Sequence, residues 1–385
     1  MADKIRYVGN AVRKDKEKKN FKRFLSLALA LLLIIVSAVA GLNIARKTAS
    51  DAYDGQQEGT GFPVSFSTND IRDVRAMGKT MVVLTKKFVT GLSRSGDIVW
   101  EQPISYGDPA VFTSESYTVV FDRLSNKYAL IDKYGVITER KADISSQIFN
   151  AKVTDSGKVL LALKSDSSAS LVCLKDKNGE DKLIWSCTQE YVTDLALSSD
   201  GKTLFCGSVG ASGGEMYTKV YALTVKNGAE KSYTLPSSSY IALNAVSGNK
   251  FNLITNKGLY VFDSSKEEML IGSSLFNSKL IYLSSDAKGN VAAVTDSTGN
   301  ISQSTLTVYS GKAEAEYSLS LENGIEDIFV DKGEALILYS DYIISVKNGE
   351  IHKKLFFENK AAGVIKVANQ VYCYSLGGVE KARSK

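Results

Sequence analysis

From Ile71 onward the chain repeats one pattern: a strand-like run, a short turn of Asp, Ser, Lys and Gly, then an apolar strand-like run. Successive copies are IRDVRAMGKTMVVLT from Ile71, IFNAKVTDSGKVLLAL from Ile148, VTDLALSSDGKTLFCGS from Val192 and LIYLSSDAKGNVAAVTD from Leu280. IEDIFVDKGEALILYS from Ile325 and AGVIKVANQVYCYS from Ala362 continue the series, with weaker copies near Asp108 and Tyr240. These eight starts lie about 41 residues apart, a period in the range of propeller blades.

The turn pairs Ser156-Gly157, Asp200-Gly201, Lys288-Gly289 and Lys332-Gly333 offer the positive φ that a tight hairpin needs. The run after each turn is continuously apolar, as expected of a strand buried on both faces. A second hairpin closes each unit, as in LVCLKDKNGEDKLIW, VYALTVKNGAEKSYTL and IISVKNGEIHKKLFF, so each unit holds four strands. The last unit lacks its outer strand, and Phe62-Pro63-Val64-Ser65-Phe66 can supply it, closing the ring with both ends of the domain in one blade. The expected fold is all-β, a seven- or eight-bladed β-propeller with the count favouring eight, preceded by one transmembrane α-helix.

That helix is expected over residues 24–42, FLSLALALLLIIVSAVAGL, which carry no charge. At about 1.5 Å per residue they cover roughly 28 Å, close to the hydrocarbon thickness of a bilayer. Residues 1–23 hold nine Lys and Arg against three Asp and Glu, a basic tail that places the N-terminus in the cytoplasm and the bulk of the chain outside. Ala38-Val39-Ala40 has the form of a signal-peptidase site, so secretion after cleavage near Ala40 is the competing fate. Residues 43–61 are polar and rich in Gly and Ala, a flexible stalk, and residues 62–385 form the propeller domain.

Beyond the tail the chain is almost neutral, with 38 basic and 39 acidic residues left of the 47 and 42 in the whole. Nucleic-acid binding needs basic residues on the folded part and is not expected. The partners expected are the lipid bilayer, through residues 24–42, and a protein of the cell envelope.

SRSGDIVWEQPI, from Ser93, carries Gly96 and Trp100 in the Gly-x-x-x-Trp arrangement that ends a quinoprotein blade, and LKDKNGEDKLIWSC, with Trp185, is a looser copy. The units thus resemble quinoprotein-type and WD40-like propeller repeats. The chain as a whole looks like the membrane-anchored propeller proteins of unknown function found in Gram-positive bacteria. True quinone-dependent dehydrogenases of that superfamily carry adjacent cysteines and a calcium-binding carboxylate cluster. No two of the four cysteines here, Cys173, Cys187, Cys206 and Cys373, are adjacent. The resemblance therefore implies an architecture without its cofactor chemistry.

No catalytic, cofactor-binding or metal-binding residue can be assigned. The single histidine, His352, stands beside Lys353 and Lys354 near a hairpin turn, with no nucleophile elbow to serve. Asp176-x-Asn178-Gly179-x-Asp181 resembles the start of a calcium loop, but lacks the Glu at position twelve and reads as a hairpin turn. Acidic pairs for glycoside hydrolysis are numerous and none is singled out. Cys173 and Cys187 flank that turn almost symmetrically, so a cross-strand disulfide is open. GSVGASGGEM, residues 207–216, reads as the longest irregular loop and the loop best suited to reach a partner. The function expected is non-catalytic binding or scaffolding in the envelope, with a sugar- or metabolite-sensing ectodomain or a degenerate propeller enzyme as the alternative.

Overall fold

The computed structural model describes residues 61–66, 70–142, 146–296 and 303–384. The expected basic tail, membrane span and, apart from Gly61, stalk lie outside the described residues. Among the described residues no helix is long and apolar enough to cross a membrane.

The regular structure of the described residues is 32 strands in eight four-stranded sheets. Blade 1 runs outward as Asp73–Met77, Thr80–Leu84, Phe88–Leu92 and Ile98–Pro103. Blades 2 to 7 repeat that antiparallel meander, starting at Pro109, Ile148, Tyr191, Tyr240, Leu280 and Asp327. Each repeat unit of the sequence is one blade, which fixes the count at eight. Blade 8 takes Gly363–Val367, Gln370–Tyr374 and Gly378–Lys381 from the end of the chain and its outermost strand, Val64–Ser65, from the start. The closing register is Val64 opposite Val379 and Ser65 opposite Gly378.

Eight buried apolar clusters fill the eight junctions between neighbouring blades. This arrangement explains the unbroken apolar second strands. In Val159–Leu163 all five residues are buried. Val159, Leu161 and Leu163 face blade 2, whereas Leu160 and Ala162 face blade 4. A strand packed on both faces has no polar side to show, and each large aliphatic side chain so buried contributes about 1.5–3 kcal/mol. The turns behave as their residues require: Lys332 and Gly333 both have positive φ, 54° and 77°, the signature of a two-residue hairpin turn.

Trp100 shows how the outermost strand locks a blade to the next. Its ring lies over Gly91 of its own blade and Gly135 of blade 2, where any Cβ would collide with it. Trp185 does the same job by other means, donating its indole N–H to Glu230 at 3.0 Å and resting against Tyr221 of blade 4.

One open question is answered and one expectation is corrected. Cys173 and Cys187 do not form a disulfide, and all four cysteines are free. A bulge at Leu174 and Lys175 shifts the hairpin so that Cys173 lies opposite Ile184 and Cys187 opposite Ser170. The two thiols then point to opposite faces of blade 3, into different clusters. Residues 207–216 are not an irregular loop. They belong to a long hairpin, Thr203–Ser212 with Glu215–Thr224, whose ten residue pairs end at Gly213-Gly214. Its glycines serve packing: Gly210 lies beneath the Tyr217 ring and Gly207 beneath that of Tyr240.

Candidate binding face

An antiparallel meander sends alternate connections to opposite ends of the ring. One end carries the links between blades and the turns between second and third strands; the other carries the remaining hairpin turns. Most exposed large apolar side chains lie at the first end, among them Leu124, Tyr191, Met216, Leu275 and Leu376. The opposite end is made of short polar turns such as Thr154–Lys158 and Ser198–Lys202, and its exposed large apolar residues are fewer: Ile98, Tyr134 and Val136, with Ile271 and Ile351 near the starts of outermost strands. The chain enters the ring at this polar end, where Gly61 packs against Gly96 in a turn of blade 1.

The innermost strands are stitched together by polar side chains. Asn150 of blade 3 donates to the Thr193 carbonyl of blade 4 at 2.9 Å. Asp194 of blade 4 accepts from the Leu243 N–H of blade 5 at 3.1 Å and from the Tyr240 hydroxyl at 2.5 Å. Tyr282 of blade 6 donates to the Ile325 carbonyl at 2.7 Å, and Asp327 of blade 7 accepts from the Val364 N–H of blade 8 at 2.9 Å. Lys152 adds a clamp across three blades, pairing with Asp194 at 2.6 Å and donating to the Leu243 carbonyl at 3.1 Å. Burial raises the Asp327 carboxyl, a tendency that its two backbone N–H donors and nearby Arg75 oppose.

Beside the tip of the long hairpin a cleft of about 410 Å³ opens between Gln189-Glu190, the hairpin arm from Glu215 to Lys219 and the Pro236-Ser237 end of the outermost strand. Its buried wall is Glu190, only 2% exposed. The Tyr221 hydroxyl donates to Glu190 Oε2 at 2.6 Å, the Tyr217 hydroxyl to Oε1 at 3.0 Å and the Cys187 thiol to Oε2 at 3.3 Å. Lys219 Nζ lies 3.6 Å from Oε1 and over the Tyr221 ring. Burial disfavours the ionised carboxyl, but the hydrogen bonds from Tyr221, Cys187 and Tyr217 and the Lys219 charge outweigh it and hold Glu190 below its ordinary value. A carboxylate so fully engaged is an anchor for its neighbours. A depressed carboxyl contributes stability above its unfolded value, 4.5, that is lost as pH falls through the lower folded value. Glu190→Gln should therefore melt lower than the wild type at pH 7 and lose less as the pH is taken below 4.5. Melting curves from pH 7 to pH 3 test this; parallel curves would refute it.

The residues singled out in the sequence are dispersed. His352 sits exposed on the outermost strand of blade 7, Glu350–Phe356. Asp176 caps its own turn, accepting from the N–H groups of Asn178 at 2.8 Å and Glu180 at 3.0 Å. Lys182 and those N–H donors lower Asp176 to about 2. Among the described residues no group of three or more His, Cys, Asp or Glu is placed to hold a metal ion. Glu190, Lys219 and Asp194 were not legible as a site, because their partners come from other strands or from the next blade. The one signal was Asp at the third position of three units, in IRDV, VTDL and IEDI.

A ring of eight four-stranded blades, closed by a strand from the start of the chain, defines an eight-bladed β-propeller. Within that class the chain belongs to the "Family of unknown function (DUF5711)", whose profile matches residues 56–382. Among solved structures it is similar to BamB from Moraxella catarrhalis, at 17% identity over 84% of this chain and 96% of that one, with a TM-score of 0.52. It is also similar to AztD from Citrobacter koseri, at 11% identity over 75% and 87%, with a TM-score of 0.53. A third likeness is to the dihydro-heme d1 dehydrogenase NirN in complex with DHE, at 13% identity over 76% and 67%, with a TM-score of 0.53. Identities this low show a shared fold. No curated protein sequence matches the chain.

Proposed function

We propose that this chain is a single-pass membrane protein whose propeller stands outside the cytoplasm and acts as a non-catalytic binding or scaffolding module of the cell envelope. The observation that carries the binding role is that most of the exposed large apolar side chains lie at one end of the ring. The uncharged run 24–42 behind a basic tail supports the anchor and its orientation. A partner gripped at the apolar end meets the ring opposite the point of chain entry, so attachment and recognition do not compete for surface.

Affinity capture of the tagged full-length protein from crosslinked membranes tests this function. Specific envelope proteins are expected in the eluate, and their absence above control would overturn the scaffold. The second reading, a ligand-sensing ectodomain, draws on the polar cleft beside Glu190. It predicts saturable thermal stabilisation by a small molecule, since a ligand bound only to the folded state raises the melting temperature.

A further inference from the structure

Lys219 carries an ammonium that the fold leaves largely unspent. Its side chain is 23% exposed on the wall of the cleft beside Glu190, and Glu190 Oε1 lies 3.6 Å away, too far for a hydrogen bond. Both Glu190 oxygens already accept hydrogen bonds, Oε1 from Tyr217 and Oε2 from Tyr221 and Cys187. Glu190 therefore lends the cleft its negative charge while its own hydrogen bonding is spent on the fold. The ammonium protons of Lys219 are left for whatever enters the cleft.

The strand that bears Lys219, Glu215–Thr224, also bears Tyr217 and Glu215, and alternate residues of a strand share a face. Glu215 is exposed, and its Oε2 accepts from the Ser237 hydroxyl at 3.0 Å, which leaves Oε1 open. Lys219 and Glu215 are rooted about 13 Å apart along the strand, with Tyr217 between them. On the adjoining outermost strand Thr234 lies opposite Lys219 and Pro236 opposite Tyr217, and all four line the cleft. A cationic group and an anionic group thus frame a floor built from a phenol and a proline ring. The charged residues lining the cleft are Lys219, Glu190 and Glu215, one positive against two negative.

We propose that this cleft binds a short peptide of two or three residues with both termini free, its carboxylate on Lys219 and its ammonium on Glu215. The proposal rests on the ligand-sensing reading above and names its ligand class. A net-negative lining turns away a plain anion such as phosphate, whereas a zwitterion brings a charge to answer each end of the site. A single amino acid holds its two charges on one carbon and cannot serve both ends. Two or three extended residues span about 7–11 Å. With a charge-assisted hydrogen bond of about 2.8 Å at each end, this matches side chains rooted about 13 Å apart. A neutral sugar would leave both charges unanswered.

The test titrates the full-length protein in mild detergent with tri-L-alanine, N-acetyl-tri-L-alanine, tri-L-alanine amide, glucose and inorganic phosphate, by calorimetry and by thermal melting. Tri-L-alanine should bind saturably and raise the melting temperature. Acetylation removes the cationic end and amidation the anionic end, and each should weaken binding by about ten-fold or more. In Glu215→Gln the free and acetylated peptides should bind alike, and in Lys219→Met the free and amidated ones. If Lys219→Met melts early because Glu190 has lost its counter-charge, Glu215→Gln decides alone, since Glu215 lies outside the Glu190 hydrogen bonds. Lys202→Met, at an 80% exposed side chain in a turn at the other end of the ring, should leave affinity within about two-fold. Equal binding of free and capped peptides by wild type, or an acetylation penalty that persists in Glu215→Gln, overturns the peptide site. Saturable binding of glucose or phosphate alone overturns the peptide and leaves the sensor standing, whereas silence from all five probes overturns the peptide and removes the sensor's support. Capture from membranes bears on the scaffold alone.

Discussion

Asp194→Leu should lower the unfolding free energy by about 3–5 kcal/mol, the usual consequence of stranding a buried charge. The substitution removes the counter-ion of Lys152, whose side chain is 16% exposed, and leaves the Tyr240 hydroxyl and the Leu243 N–H without their acceptor. Three blades are affected at once. Chemical denaturation of the two proteins side by side gives the difference. Adding Lys152→Met should recover part of the loss, because removing both charges avoids the desolvated, unpaired ammonium. Should Asp194→Leu cost less than about 1 kcal/mol, the value of an exposed ion pair, the clamp has no structural weight.

Removal of everything before residue 70 should be as damaging by a different route. Phe62 is buried and its ring lies 4.8 Å from that of Tyr372, while Val64 packs into the cluster joining blade 8 to blade 1. Loss of one buried aromatic costs about 3–5 kcal/mol, and the truncation also uncovers the edge of Gly378–Lys381. An uncovered edge invites pairing between molecules. Size-exclusion chromatography should show association, and thermal melting should begin well below that of a protein starting at Gly59. A truncated ring that stays monomeric and melts unchanged would show that closure adds nothing to stability.

Why the sequence disclosed the ring but not its working surface follows from where each kind of information lies. Blade identity is written in adjacent residues: Lys332-Gly333 makes its turn and Val159–Leu163 its doubly buried strand without help from elsewhere. The weak unit near Asp108 was harder, because the first turn of blade 2, Ser114–Ser116, has no glycine and is held by the Ser114 hydroxyl, which donates to the Tyr117 carbonyl and accepts from the Tyr117 N–H. The hairpin over 207–216 was hidden by its own packing, since glycines beneath Tyr217 and Tyr240 look the same in sequence as glycines in a loop. Contacts between blades are the least visible. Lys152, Asp194 and Tyr240 are each separated by about one repeat, and nothing in the local pattern joins them. Register breaks such as those at Val192/Asp194 and Tyr240/Ala242 leave still less trace, because an extra residue in a strand does not alter its composition.

Mechanical load offers a separate view of the seam. The chain that joins the ring at Gly61 passes almost at once into Val64–Ser65, the shortest outermost strand among the described residues. A pull on the preceding segment is borne along the strand by two residue pairs, Val64 with Val379 and Ser65 with Gly378, and by the Phe66 N–H on the Gly377 carbonyl. The point of attachment is thus also the joint with the fewest residue pairs, so tension should part the outer edge of blade 8 before it disturbs the longer-paired blades.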